Sequence, residues 1–142
     1  MEKLEDVIFY TIEKTIKSYR QFAQNRIKKA GYKITIDQWL ILKKIQENPD
    51  INQYELGKRV FKDSASVTRI IDLLVKSGFL KREENFEDRR RKKLLVSNVG
   101  SEMLRNVQNV VLENRSEAIK GIPQEELENL KKNLQLIINN VS

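Results

Sequence analysis

Two groups of residues in this 142-residue chain have the types and spacing to hold a polyanion. The first is Ser64, Ser66, Thr68 and Arg69, at the start of a segment with helical apolar spacing. Small hydroxyl side chains at a helix N-terminus allow close approach to a nucleic-acid groove. Arginine can bond a guanine edge through two N–H groups, and the unpaired N–H groups of the first turn attract phosphate. The second group is the run Arg89, Arg90, Arg91, Lys92 and Lys93, preceded by Asp88. It lies between two short strand-like segments, where a hairpin tip would carry it towards phosphates or a minor groove. If Lys92 and Lys93 are in a strand they point to opposite faces, so at most one meets the polyanion from there. Gln53 and Lys62 read equally well as phosphate contacts and as ordinary surface residues.

These groups need elements to position them. Residues 53–60 form a short helical pattern opened by Asn52, with Glu55 three residues on, and bury Leu56 and Val60. Phe61, Lys62 and Asp63 make a turn. Ser64 or Asp63 then caps a helix over 64–77 whose apolar stripe is Val67, Ile70, Ile71, Leu74 and Val75. Gly78 gives a left-handed exit. Leu80 and Arg82 belong to one strand, Leu94 and Val96 to another, with 85–91 as the loop. Helix, turn, helix and basic hairpin, in that order, make a winged helix-turn-helix.

The flanks are helical. Leu4, Val7, Ile8, Ile12, Ile16, Tyr19, Phe22, Ala23 and Ile27 follow helical spacing over 4–29, and Gly31 ends that helix. Thr35 and Gln38 have the form of a capping box, opening a helix with Trp39, Leu40, Leu42 and Ile45 that ends near Pro49. Ser97 caps a long helix bearing Met103, Leu104, Val107, Val110 and Val111. After Gly121, Ile122 and Pro123 comes a last helix with Leu127, Leu130, Leu134, Ile137, Ile138 and Val141. A small winged unit needs little further core, so the apolar stripes at the two ends are expected to bury against a second copy across a two-fold axis.

Composition removes whole classes of activity. The chain has no Cys and no His. Disulfides, thiolate and imidazole metal sites, Ser-His and Cys-His pairs and a histidine general base are therefore excluded. The remaining acidic, Lys and Tyr residues show no catalytic spacing, so neither an enzyme nor a cofactor or metal is expected. The net charge is +7. Between Lys58 and Lys93 stand 12 basic and 6 acidic residues, so +6 of it lies in that quarter of the chain. Such an asymmetry marks one electropositive face. No apolar run approaches the ~20 residues that span a bilayer. Glu2, Glu5 and Asp6 stand where a secretory signal would be basic and then apolar. The expected location is the cytoplasm, on the nucleoid when bound to DNA.

From about Thr35 to Gly100 the chain resembles the MarR family of bacterial transcription regulators. The resemblance is carried by ordered pieces: Ile34-Thr35-Ile36-Asp37-Gln38-Trp39-Leu40-Ile41-Leu42, Gln53-Tyr54-Glu55-Leu56-Gly57, Asp63 to Leu74, and Lys76-Ser77-Gly78-Phe79-Leu80-Lys81-Arg82. The sharpest is the wing signature Asp88-Arg89-Arg90 followed by Leu94-Leu95-Val96-Ser97 and Gly100. Gly57 departs from the family's usual Ala and Ser97 from its usual Thr. The resemblance implies a mainly α fold with a small β-hairpin wing: residues 35–97 bind DNA, and 1–31 with 98–142 form the dimerisation region. It implies that the arginine at Arg90 reaches into the minor groove and that Asp88 steadies the wing by pairing with arginine. It further implies a homodimeric repressor of a pseudo-palindromic operator on double-stranded DNA, released by a small-molecule effector where one exists.

Each of these readings has a plainer rival. Ser64 and Ser66 could merely cap their helix and Arg69 merely be solvated; a charge run is usually a solvated face. Trp39, Tyr32, Tyr19 and Phe22 could line an effector pocket, although aromatics at helical spacing are more often core. Winged helices also dock acidic proteins, and a basic face can coat DNA without regard to sequence.

Overall fold

The computed structural model describes residues 1–84 and 92–142. Asp88, Arg89, Arg90, Arg91 and the side chain of Lys92 lie outside what it describes. The described residues form α1 (Ile8–Lys29), α2 (Ile36–Glu47), α3 (Gln53–Val60), α4 (Ser64–Lys76), β1 (Leu80–Glu84), β2 (Lys92–Val96), α5 (Asn98–Ala118) and α6 (Gln124–Val141). This is the mainly α fold with a two-stranded wing that the sequence implies.

The helix starts follow from local chemistry. Thr35 accepts from the Gln38 N–H while the Gln38 side chain accepts from the Thr35 N–H, a complete capping box. Asn52 caps α3 through the Glu55 N–H at 2.8 Å, and Ser97 caps α5 through the Gly100 N–H at 3.0 Å. At α4 the cap is Asp63, which accepts from the Ser66 N–H at 2.8 Å, and Ser64 is the first residue inside the helix. The first helix differs from expectation. Leu4–Asp6 form a 3-10 turn, Val7 is extended, and α1 begins only at Ile8. Leu4 and Val7 fit the apolar period either way, so spacing alone does not reveal the break.

One core joins α1, α2, α3, α4, β1 and α5. Ile27, Ile34, Ile41, Leu42, Ile45, Leu56, Val67, Ile71, Leu74, Leu80, Leu104 and Val107 are buried in it. Ile70 and Val75, expected on the same stripe of α4, are half-buried against it. Gln24 ties α1 to the start of α2: its side-chain oxygen accepts from the Ile36 N–H at 2.9 Å and its amide donates to the Ile34 carbonyl at 3.2 Å. The antiparallel strands pair Leu80 with Val96, Arg82 with Leu94 and Glu84 with Lys92.

The apolar stripes at the ends are only partly used. In α1 the C-terminal half buries Ala23 and Ile27, whereas Ile8, Phe9 and Ile16 are exposed. No residue of α6 is buried. Trp39 belongs to the core, with the Arg115 guanidinium 5.8 Å from its ring centroid. Tyr32 packs against the core, and Tyr19 and Phe22 are half-buried.

Candidate nucleic-acid interface

The turn between α3 and α4 sets the angle at which α4 is presented. Phe61 ends α3 with a left-handed backbone (φ 61°), and the Lys62 N–H returns to the Gly57 carbonyl at 2.9 Å. Gly57 makes this turn fit. A Cβ there would stand 2.9 Å from the Lys62 carbonyl oxygen and 3.4 Å from Val67. The departure from the usual Ala thus goes with a turn that passes unusually close to the helix before it.

Once the turn is made, α4 divides cleanly. Val67, Ile71 and Leu74 are fully buried, while Ser64, Ala65, Thr68, Arg69, Asp72 and Lys76 are exposed. Ser66 is half-buried. The polar side therefore faces away from the protein.

The expected contact residues are not independent. The Thr68 hydroxyl donates to the Ser64 carbonyl at 2.9 Å and accepts from the Gln53 amide at 2.5 Å. Its single proton is spent within the protein, so towards another molecule Thr68 can only accept. Gln53 and Thr68 thereby join the start of α3 to the second turn of α4. Arg82 pairs with Asp72, which ties β1 to the outer side of α4. Lys93 is exposed, with Nζ 3.9 Å from Asp50. Lys62 holds Asp37 of α2 at 3.2 Å, and the same carboxylate pairs with Arg20 of α1.

The pairings of Arg20 with Asp37 and of Arg82 with Asp72 do not follow from the sequence. The partners are too far along the chain for helical spacing to link them: 17 residues for Arg20 and Asp37, and 10 for Asp72 and Arg82. The signal present in each case is a single opposite charge on the neighbouring element, and it is a weak one.

At the N-terminus of α4 the Asp63 carboxyl is held below the usual carboxylate range. The chief cause is the Ser66 N–H, followed by the Ser66 hydroxyl and, after a small opposing effect of burial, by the charge of Arg69. A carboxyl with a lowered native pKa favours folding above its unfolded value and loses that contribution as pH falls through the native one. Asp63→Asn keeps a capping oxygen but cannot titrate. Below about pH 4 the melting temperature of the parent should therefore fall more steeply than that of Asp63→Asn. Parallel acid profiles would count against the cap as described.

Comparison with known proteins agrees with this architecture. The model of the MarR family matches residues 34–92, which run from the buried Ile34 through α2, α3, α4 and β1 to the first residue of β2.

Residues 34–92 match the MarR family.

The whole chain has the MarR winged-helix fold. It superposes on a probable transcriptional regulator from Pseudomonas aeruginosa with a TM-score of 0.85 at 24% identity, covering 95% of this chain and 99% of that one. A mutant MarR from E. coli complexed with operator DNA gives 0.85 at 21% identity, with 96% and 99% covered. BpsR from Bordetella bronchiseptica, whose DNA binding is regulated by 6-hydroxynicotinic acid, gives 0.87 at 14% identity, with 96% of both chains covered. At these identities the superpositions speak for the fold. Within the MarR fold, α3 and α4 are the two helices of the helix-turn-helix and β1 and β2 the strands of the wing.

Proposed function

We propose that the chain is a homodimeric, sequence-specific DNA-binding transcription regulator that represses from a pseudo-palindromic operator. The observation that carries this reading is the outward polar side of α4. It is exposed, begins with a capped N-terminus, and follows directly on the turn that contains Lys62. Ser66 and Arg69 would read base edges, with Thr68 accepting a hydrogen bond; Ser64, Gln53 and Lys62 would meet phosphates. Arg89, Arg90, Arg91 and Lys92 would reach the flanking minor grooves and backbone, with Asp88 steadying them. Residues 35–97 would form the DNA-binding unit and 1–31 with 98–142 the dimerisation region. The two copies of α4 would enter successive major grooves about 10–10.5 bp apart. Occlusion of a promoter would follow. A small-molecule effector would release the protein by binding unequally to DNA-competent and incompetent dimers. The protein would act in the cytoplasm, without catalysis.

The direct test is selection from random duplexes with the purified protein. Recovery of an inverted repeat would establish specificity and two-fold symmetry together. Comparable affinity for all duplexes would reduce the protein to a sequence-independent DNA binder, and no duplex binding at all would favour docking to an acidic protein. On a recovered site, Arg69→Ala is expected to weaken binding by about 1–3 kcal/mol and to relax preference at one base position. An equal loss on every sequence would show that Arg69 contacts only the backbone.

A further inference from the structure

The Asp37 carboxylate is shared by two cations from different parts of the fold. One oxygen pairs with Arg20 of α1; the other lies 3.2 Å from the ammonium of Lys62 in the helix-turn-helix turn. Lys62 directly precedes Asp63, the cap of α4, and the proposed function gives it a phosphate to meet. The three side chains are about one third exposed: 37% for Arg20, 28% for Asp37 and 36% for Lys62. An ammonium already neutralised by a carboxylate releases fewer counterions and attracts a phosphate less than a free one.

We infer that Asp37 is an intramolecular competitor of the DNA phosphate for Lys62, and that Arg20 sets how strongly it competes. This rests on the DNA-binding reading above. When DNA arrives, the Lys62 ammonium turns towards phosphate and Arg20 keeps the carboxylate neutralised on α1. The protein therefore gives up one ion pair without leaving a bare anion beside the DNA. Arg20 and Asp37 are positioning residues that act through Lys62. Because Arg20 belongs to α1 and Lys62 to the turn, the exchange also links the placement of α1 to the strength of the DNA contact.

Phosphate contact does not depend on sequence, so a short random-sequence duplex is a sufficient probe. Asp37→Asn should bind it about two- to fivefold more tightly, the range spanned by exposed ion pairs. The salt dependence should steepen by up to about 0.9 in log–log slope. Arg20→Gln leaves the carboxylate wholly to Lys62 and should weaken binding by a similar factor. Both effects should disappear in a Lys62→Gln background, where the competition no longer exists. Thermal melts of each variant show whether the fold is kept; should Asp37→Asn melt early, Arg20→Gln and its loss in the Lys62→Gln background carry the test. Equal gains with and without Lys62 would make Asp37 a remote charge and overturn the inference, as would weaker binding by folded Asp37→Asn. A parent protein that binds no duplex would instead overturn the DNA-binding reading itself.

Discussion

Replacing Leu130 and Ile138 together by aspartate should yield a folded single subunit with operator affinity lowered by about 10²–10⁴-fold. Leu130 is 51% and Ile138 52% exposed, and α6 places no residue in the core of its own chain. Leu127, Leu134 and Ile137 of this 18-residue helix are half-buried, but Leu130 and Ile138 leave apolar surface in water that a partner would cover. Leu112 of α5 and Ile8, Phe9 and Ile16 of α1 are also exposed. Under the function proposed above a second copy would be that partner, because its two-fold symmetry matches a palindromic site. The core joins α1 to α5 and takes no residue from α6, so charge on α6 should separate subunits before it unfolds them. Sedimentation and duplex titration of the same preparation provide the check. A variant that stays dimeric would remove α6 from the interface. A monomer with undiminished operator affinity would remove the need for two copies.

The second large effect is on folding. Gly100→Ala should cost about 3 kcal/mol, the upper part of the usual range for overpacked sites, and lower the melting temperature by roughly 6–12 °C. Gly100 is buried in the first turn of α5. A Cβ there would stand 2.3 Å from the Phe79 carbonyl oxygen and 3.0 Å from Val96. The backbone cannot yield easily, because the same carbonyl accepts from the Ser97 N–H at 3.0 Å. The Ser97 hydroxyl in turn donates to the Gly78 carbonyl at 2.5 Å while accepting from the Gly100 N–H. Gly31→Ala is the informative control. Gly31 has φ 92° but nothing within 4 Å of a Cβ, so its substitution should cost only about 1–2 kcal/mol of backbone strain. Calorimetry or denaturant melts of the two variants would separate crowding from conformation. Equal losses would mean that the contact between α5 and the residues leading into β1 is looser than its geometry indicates.

The wing-signature glycine thus has a physical explanation that its sequence motif lacked. Other parts of the fold were legible because their causes are local. Thr35 with Gln38, Asn52 with Glu55 and Ser97 with Gly100 are bonds across three residues, and the alternation of buried and exposed positions in α4 is periodic. The choice of Asp63 over Ser64 as the cap was open, since both offer an oxygen at nearly the same place; the path of the turn decided it. The exposure of the outer side of α4 agrees with expectation, whereas the involvement of Thr68 with Gln53 does not follow from spacing.

By itself the sequence determined the order of the elements, the caps Thr35, Asn52 and Ser97, the inward stripe of α4 and the concentration of positive charge about it, because these helix starts and amphipathic faces depend on neighbours three or four residues away. Only the tertiary structure decided that Asp37 bridges Arg20 and Lys62, that Arg82 anchors the wing on Asp72, that Gly57 and Gly100 sit where backbones nearly touch, and that α1 buries just its C-terminal half. Those contacts depend on how helices cross and how close they come. Distance between elements is a property of the packed core, and no local spacing encodes it.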